Sequence, residues 1–399
     1  MESNAPRIIS YIGVIIFSVL FIYFGNDIAT SDYTLLQGEG VDKTYSAVVT
    51  EIEQSDPYDY GNGMGGTVTY FKAVLSDDNT EVSARQTVDD YDAVPYKIVE
   101  KGDKVLLGSA DDNEVEYEFS EYIRSDYIII LGLIFVALLL FFGRSKGFST
   151  LISLTFTCLV VFAVFVPAVI SGQNIYIWTF VVCLYTIIMT LIIVNGVGKK
   201  SLAAGIGCAG GVFIAGVLSA VMNSVLGLSG ILDESTFSLT TVNPDHPIDL
   251  LAVIFASITI GSMGAVMDVA VDISASLHEI RLKVDDIKPK ELFQSGMTIG
   301  RDLMGTMANT LVLAYIGSGL ATTVLLVVFN GSLVELFNKE RVIVEIMQAL
   351  IGSIGILLTI PFTAFICSIV YRHLKKPKTV YDLCDEAAEE YENKNSSDN

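Results

Sequence analysis

The side chains best suited to chemistry in this sequence are carboxylates that interrupt a long apolar segment. Residues spaced three or four positions apart lie on one face of an α-helix. Five residues follow this spacing or its multiples: Gly261, Gly264, Asp268, Asp272 and Glu279. A charged side chain at mid-bilayer costs roughly 2.5–3.5 kcal/mol, so such residues tend to be functional. The stripe indicates either a candidate ion or substrate pathway or, more simply, the inner end of a membrane span.

A second polar stripe opens the next apolar segment. Four of its residues share a helix face: Asp302, Gly305, Thr306 and Asn309. Their carboxylate and amide oxygens suit a cation, because hard cations prefer oxygen ligands. Arg301 precedes them and is a charge partner for Asp268 or Asp272, which would give a structural ion pair instead. Both interpretations stay open on the sequence alone.

The small residues of the two stripes predict close contact between helices. Three glycines carry this expectation: Gly261, Gly264 and Gly305. Glycine lets two membrane helices approach closely, because it has no side chain to separate them.

The sequence shows no constellation typical of an enzyme. It contains no HExxH zinc motif, no phosphate-binding GxxxxGK[ST] loop and no serine nucleophile elbow. An intramembrane aspartyl site needs carboxylates on facing helices, whereas Asp268 and Asp272 lie on one, and only Asp302 could supply the other. None of the five cysteines forms a CxxC pair. We therefore expect no enzymatic activity and no cofactor. The sequence does not determine whether the protein binds a metal ion.

Composition places the chain among membrane proteins. It has 399 residues, of which 52% are hydrophobic and only 17% are charged, against roughly 25% charged in soluble domains. The net charge is −21, with much of the acid in residues 26–125 and in the C-terminal tail. No basic face is present, so the sequence predicts no nucleic-acid partner.

Eight apolar runs are candidates for transmembrane helices, because a helix of about 20 residues crosses the hydrocarbon layer. The runs are Ile8–Phe24, Tyr127–Phe142, Leu151–Ile170, Ile175–Val194, Leu202–Leu226, Leu250–Val271, Leu303–Phe329 and Ile343–Tyr371. The fold class predicted is an α-helical polytopic membrane protein with about eight transmembrane helices and a small all-β extracytoplasmic domain. The first run is expected to stay as an anchor, since no clean cleavage site follows it.

The polar stretch between the first two runs has the alternation of half-buried strands, separated by turns rich in glycine, aspartate and asparagine. A small barrel or sandwich, which could be OB-like, is predicted by four strand-like segments: Tyr45–Ile52, Thr67–Leu75, Lys104–Leu107 and Glu114–Phe119. The predicted organisation is therefore an anchor over residues 1–25, an extracytoplasmic β-rich domain over 26–125, a seven-helix membrane domain over 126–376 and an acidic cytoplasmic tail over 377–399.

Basic residues predict the orientation. Segments on the cytoplasmic side of a membrane carry an excess of lysine and arginine. The four most basic connecting segments fall on one side if both termini are cytoplasmic: Arg144/Lys146, Lys199/Lys200, Arg281–Lys290 and Arg372–Lys378. This arrangement puts residues 26–125 outside the cytoplasm of a cell membrane.

Two long motifs carry a resemblance to a known family. They read GAVMDVAVDISASLHEI over residues 264–280 and IGRDLMGTMANTLVLAYIG over residues 299–317. The sequence resembles the YibE/F family of bacterial multi-pass membrane proteins from about Ser125 to Lys376. The resemblance implies several membrane spans in a bacterial cell membrane, and it implies no particular activity.

Two functions of different kinds fit these features. The first is a secondary transporter or ion-coupled permease that uses the intramembrane carboxylates, with a small ion or solute as its partner. The second is a non-transporting assembly or sensory protein that acts through its extracytoplasmic domain on a protein partner. The broad apolar surface of the helices can contact the lipid bilayer or another copy of the chain. A homo-oligomer is therefore a further expectation.

Overall fold

The computed structural model describes residues 5–30, 43–61, 64–89, 97–110, 115–243, 247–284, 287–329 and 332–373. The chain forms two compact units, one of residues 36–144 and the other of residues 1–35 together with 145–399. The predicted acidic tail, residues 377–399, lies outside the described residues.

The first unit contains a small closed β-barrel. Its strands, within the described residues between 43 and 122, are β1 (Tyr45–Gly61), β2 (Met64–Leu75), β3 (Glu81–Asp89), β4 (Lys104–Ser109) and β5 (Tyr117–Tyr122). They close in the order β1-β2-β3-β5-β4. Every pairing is antiparallel except that between β3 and β5. The closed barrel agrees with the predicted small β-domain.

Strand β3 was missed in the sequence because only one of its three buried positions, Val82, holds a strongly apolar residue. Ala84 and Gln86 alternate with exposed residues and point into the barrel. Gln86 is satisfied there by two backbone bonds: its amide donates to the Lys97 carbonyl and its oxygen accepts from the Val99 N–H. A buried amide that is paired in this way escapes the cost of an unmade hydrogen bond.

The barrel core is small, and this makes its one buried phenylalanine important. Phe71 is fully buried against aliphatic side chains such as Leu107 and Val105. We expect Phe71→Ala to cost about 3–5 kcal/mol, which is comparable with the whole stability of a domain of this size at roughly 0.05–0.15 kcal/mol per residue. Limited proteolysis of the purified full-length protein should then cut the barrel rapidly. Val48→Ala, at a partly exposed position on β1, should remain protected; equal protection of both variants would contradict this core.

The remaining elements are helical. They are α1 (Ala5–Ala29), α2 (Ser125–Val160), a π-helical turn (Val161–Phe165), α3 (Val166–Ile170), α4 (Ile175–Asn195), α5 (Lys199–Leu226), α6 (Glu234–Leu239), α7 (Leu250–Lys283), α8 (Pro289–Ser318), α9 (Leu320–Phe329), α10 (Leu333–Leu336), α11 (Glu340–Val370) and a 3₁₀ turn (Tyr371–His373). Among the described residues, six helices are long and apolar enough to cross a membrane, or seven if α8 and α9 form one bent span.

The difference from the eight predicted spans arises around Arg144. The two runs predicted as Tyr127–Phe142 and Leu151–Ile170 lie in one helical stretch of 46 residues, Ser125–Ile170. At 1.5 Å per residue, 46 helical residues are enough for about 69 Å of helix, more than twice the roughly 30 Å of a hydrocarbon layer. Arg144 has non-helical dihedral angles, φ 47° and ψ −126°, and it falls at the boundary between the two units.

Helices α5, α7 and α11 pack closely through glycines. Replacing the hydrogen of Gly211 by a Cβ would bring that atom against the Thr359 hydroxyl and to 2.8 Å from Val266. Gly207 and Gly210 of α5 meet Thr363 and Phe362 of α11 in the same way. The glycine-rich sequence of α5 therefore lets three helices share one core, as small residues do in membrane bundles.

Helix α8 continues into α9 through a sharp bend. The two segments Pro289–Ser318 and Thr323–Phe329 meet at 68°, and Gly319 lies at the break. Broken helices of this kind leave backbone groups without helical partners, and in membrane proteins they are tolerated next to protein or a cavity. The bend places α9 and α10 beside the beginning of α11.

Candidate functional site

A hydrogen-bonded junction fixes one end of α7 against its neighbours. The Ser274 hydroxyl donates to the Lys200 carbonyl at 2.8 Å and shares a 2.6 Å bond with the Tyr371 hydroxyl. Tyr371 is fully buried. The start of α5, the end of α11 and Ser274 therefore lie at one level of the bundle.

The acidic stripe of α7 begins next to this level. Asp272 lies about 3 Å and Asp268 about 9 Å from Ser274 along the helix axis, counting 1.5 Å per residue. The opposite face of α7 carries the buried residues Val266, Ile273 and Leu277. Both aspartates, with Gly261, Gly264 and Glu279, lie on the exposed face of the single chain. The predicted helix face is thus present, and it points away from the core.

Helix α8 runs antiparallel to α7 and brings the second stripe alongside. A Cβ at Gly261 would lie 2.7 Å from the Tyr315 hydroxyl, and a Cβ at Gly296 would lie 2.9 Å from Leu277. Counting along both helices between these two contacts puts Asp302 at the level of Asp272. By the same residue count, Thr306 of α8 lies at about the level of Asp268 of α7. The two stripes therefore lie at matching levels along this helix pair.

No ion pair joins the two stripes among the residues that the structure describes. Arg301 and Asp302 are exposed on α8, and neither is paired with Asp268 or Asp272. Asn309 is likewise exposed and forms no side-chain hydrogen bond to another described residue. Glu279 lies 3.9 Å from Lys283, one helical turn further on. Four polar side chains of the predicted pathway therefore have oxygen atoms free for a ligand: Asp268, Asp272, Asp302 and Asn309.

The three stripe glycines differ in their surroundings. Gly261 meets Tyr315 of α8, as close helix packing requires. At Gly264 and Gly305 a Cβ would meet no atom within 4 Å, so neither glycine packs against another helix within the single chain. The closest packing instead uses glycines of α5 and α8 that the stripe pattern did not single out. Gly300 of α8, for example, meets Ile360 of α11.

Two polar groups near the bend between α8 and α9 were not predicted. The Tyr315 hydroxyl is buried and has no hydrogen-bond partner in the described part of the chain. The Glu345 carboxylate of α11 faces Gly319, with its oxygens 3.2–3.3 Å from where a Cβ would lie. A lone glutamate inside the apolar run Ile343–Tyr371 was the available indication of this second polar position.

The arrangement can hold a cation through oxygen ligands. Carboxylate and amide oxygens bind hard cations, and a carboxylate can also take and release a proton. No group of three histidine, cysteine, aspartate or glutamate side chains comes together within the described ranges. The chemistry offered by the stripes is therefore that of single carboxylates at successive levels.

The described part of the chain has six or seven helices that are long and apolar enough to cross a bilayer, which is the architecture of a multi-pass membrane protein. Residues 131–373 match the family model of the YibE/F-like proteins. This is more than half of the chain, so the chain belongs to the YibE/F family. No curated protein and no solved structure matches it.

Proposed function

We propose that the protein crosses a bacterial cell membrane eight times, with both termini in the cytoplasm and residues 26–125 outside. The helical stretch from Ser125 to Ile170 then counts as two spans that meet at Arg144. Support comes from its length and from the break in helical geometry at that residue. The basic residues Arg144, Lys146, Lys199 and Lys200 would all lie on the cytoplasmic side, where positive charge accumulates.

Cysteine labelling tests this topology. In a variant without its native cysteines, Ser55→Cys in the barrel should react with a membrane-impermeant maleimide in intact cells. Ser145→Cys, next to the proposed cytoplasmic turn, should react only after the membrane is opened. Labelling of Ser145→Cys in intact cells would mean that the stretch Ser125–Ile170 crosses the membrane only once.

The function that the geometry supports best is that of an ion-coupled permease. The observation that carries it is the pair of polar stripes on α7 and α8, which lie at matching levels and lack ion pairs with each other. Placing an unpaired carboxylate within the membrane costs free energy. A bound cation or a proton would offset this cost. Asp268, Asp272, Asp302 and Asn309 would handle the cation, and Glu279 would lie at the cytoplasmic mouth.

Flux in proteoliposomes tests the permease directly. The purified protein should raise the uptake of protons or of labelled sodium above that of protein-free liposomes prepared in parallel. Flux that stays at the protein-free level for both ions, with the protein inserted and folded, would contradict the proposal.

The barrel favours a second candidate function, that of an assembly or sensory protein. It has its own hydrophobic core, separate from that of the helical unit, as a domain that recognises a partner would need. A protein that copurifies with the full chain and is lost on deletion of residues 38–122 would support this function. A partner that remains bound after the deletion would count against it.

A further inference from the structure

A cavity lies where the bent helix α8/α9 faces α10 and the beginning of α11. Its volume is about 550 Å³, within the range of roughly 300–1,000 Å³ that holds small organic ligands. Most of its wall is aliphatic or aromatic, including Ile316, Leu336, Phe337 and Leu350. We call this space the outer cavity, because the proposed topology places it near the outer surface of the membrane.

The outer cavity contains one carboxylate without a counter-charge. Glu345 is half-buried and forms no ion pair or hydrogen bond with any residue in the part of the chain that the structure describes. Tyr315 also lines the space, while its hydroxyl is buried against Gly261 without a hydrogen-bond partner in the described part of the chain. A polar group that is removed from water without a partner costs free energy, so a ligand that supplies one would be stabilised.

Arg341, which also lines the wall, does not neutralise Glu345. Arg341 lies one turn before Glu345 on α11, yet its guanidinium is paired with Asp233. The Thr236 backbone N–H and Arg341 hold the pKa of Asp233 below its usual range, so Asp233 is ionised at neutral pH. The pair Arg341–Asp233 is therefore neutral, and Glu345 gives the outer cavity a net negative charge.

An apolar cavity with one net negative charge is complementary to one class of ligand. A bare inorganic ion would leave most of the volume unfilled, and a neutral apolar molecule would leave Glu345 uncompensated. A bulky organic cation satisfies both the walls and the carboxylate. The rings of Tyr315 and Phe337 add cation–π attraction, which is the usual means of recognising quaternary cations.

We propose that the outer cavity binds an organic monocation with a bulky apolar body, and that Glu345 is the residue that recognises its charge. This inference rests on the proposed permease and names its substrate class. The site then lies at the C-terminal end of α8, about 20 Å along the helix from Asp302 in the middle of α8, so that the substrate and the coupling carboxylates occupy different levels of the bundle.

Equilibrium dialysis with radiolabelled tetraphenylphosphonium tests the proposal on the purified full-length protein. We expect saturable binding near one probe per chain, weakened roughly tenfold or more by Glu345→Gln because a partly desolvated charge pair is lost. Leu350→Trp should weaken binding by filling the cavity while Glu345 stays in place. Glu335→Gln is the matched control, since this exposed glutamate is paired with Lys339, and binding should be unchanged.

Three results would overturn the proposal: no saturable binding, equal binding by Glu345→Gln, or equally strong competition by neutral triphenylphosphine oxide, which would indicate a lipid-like occupant. The Asp268→Asn variant separates this inference from the permease. Its binding of the probe should be normal even where its ion flux is lost. Absent probe binding with intact Asp268-dependent flux would refute the substrate class alone.

Discussion

Replacing Asp268 by asparagine is expected to reduce cation flux in proteoliposomes by roughly tenfold or more, because ligand charge is a main determinant of cation affinity. Asp268 is the deeper of the two aspartates on α7, about 9 Å from the level of Ser274. Asparagine keeps the size and an oxygen of the side chain and removes only the charge. The measurement is the initial rate of proton or labelled-sodium uptake, normalised to the amount of folded protein.

The control for this prediction is Glu335→Gln, which removes one negative charge from an exposed pair with Lys339 far from the stripes. Its flux should match that of the unaltered protein. If Asp268→Asn transported at the full rate, Asp268 would have only a structural role. The permease would then have to depend on other residues.

The second large effect concerns the packing of α5 against α11. We expect Gly211→Ala to lower stability by about 1–3 kcal/mol, since the added methyl group overpacks a filled interface. The new atom would press on the Thr359 hydroxyl and on Val266. A fall of several degrees in Tm of the detergent-solubilised protein, followed by size-exclusion chromatography after heating, measures this loss.

Gly305→Ala gives the matched comparison, because its Cβ would meet no atom within 4 Å. Alanine is favoured over glycine inside a helix by about 1 kcal/mol, so this variant should be as stable as the unaltered protein or slightly more stable. A loss of stability in Gly305→Ala equal to that in Gly211→Ala would mean that α8 packs against another surface. It would contradict the packing described for the single chain.

The helices and their polar faces could be predicted because each is a local property. The spacing of Asp268 and Asp272 on α7 follows from 3.6 residues per turn, and the equal depth of the stripes follows from two consecutive spans that run antiparallel. Membership of the YibE/F family was likewise expected from the two motifs, and it is confirmed by the match over residues 131–373.

Other features depend on contacts that spacing does not encode. Neither the direction that a polar stripe faces nor the absence of a bond between Arg301 and the aspartates can be read from periodicity. The joining of the two runs beside Arg144 into one helical stretch, with non-helical dihedral angles at that residue, likewise cannot be read from polarity. Strand β3 was not predicted because two of its buried positions hold Ala84 and Gln86, and the burial of Gln86 depends on its hydrogen bonds with Lys97 and Val99.

The outer cavity is the clearest example of a feature that the spacing of residues in the sequence could not predict. Glu345 was one acidic residue in an apolar run, and nothing in its own segment indicated that it lines a cavity. Its position opposite Gly319 depends on the 68° bend between α8 and α9. That bend brings together residues about 30 positions apart in the sequence.

Infrared difference spectroscopy on the purified protein in nanodiscs tests the central claim most directly, because it reports the protonation of individual carboxylates. Spectra would be recorded across pH and with different cations, and Asp268→Asn and Asp272→Asn would assign the bands. We expect a carboxylate band that titrates near neutral pH or shifts with a particular cation, and that disappears in one of these variants. Aspartates that stay ionised and unchanged under all conditions would contradict an ion site on α7.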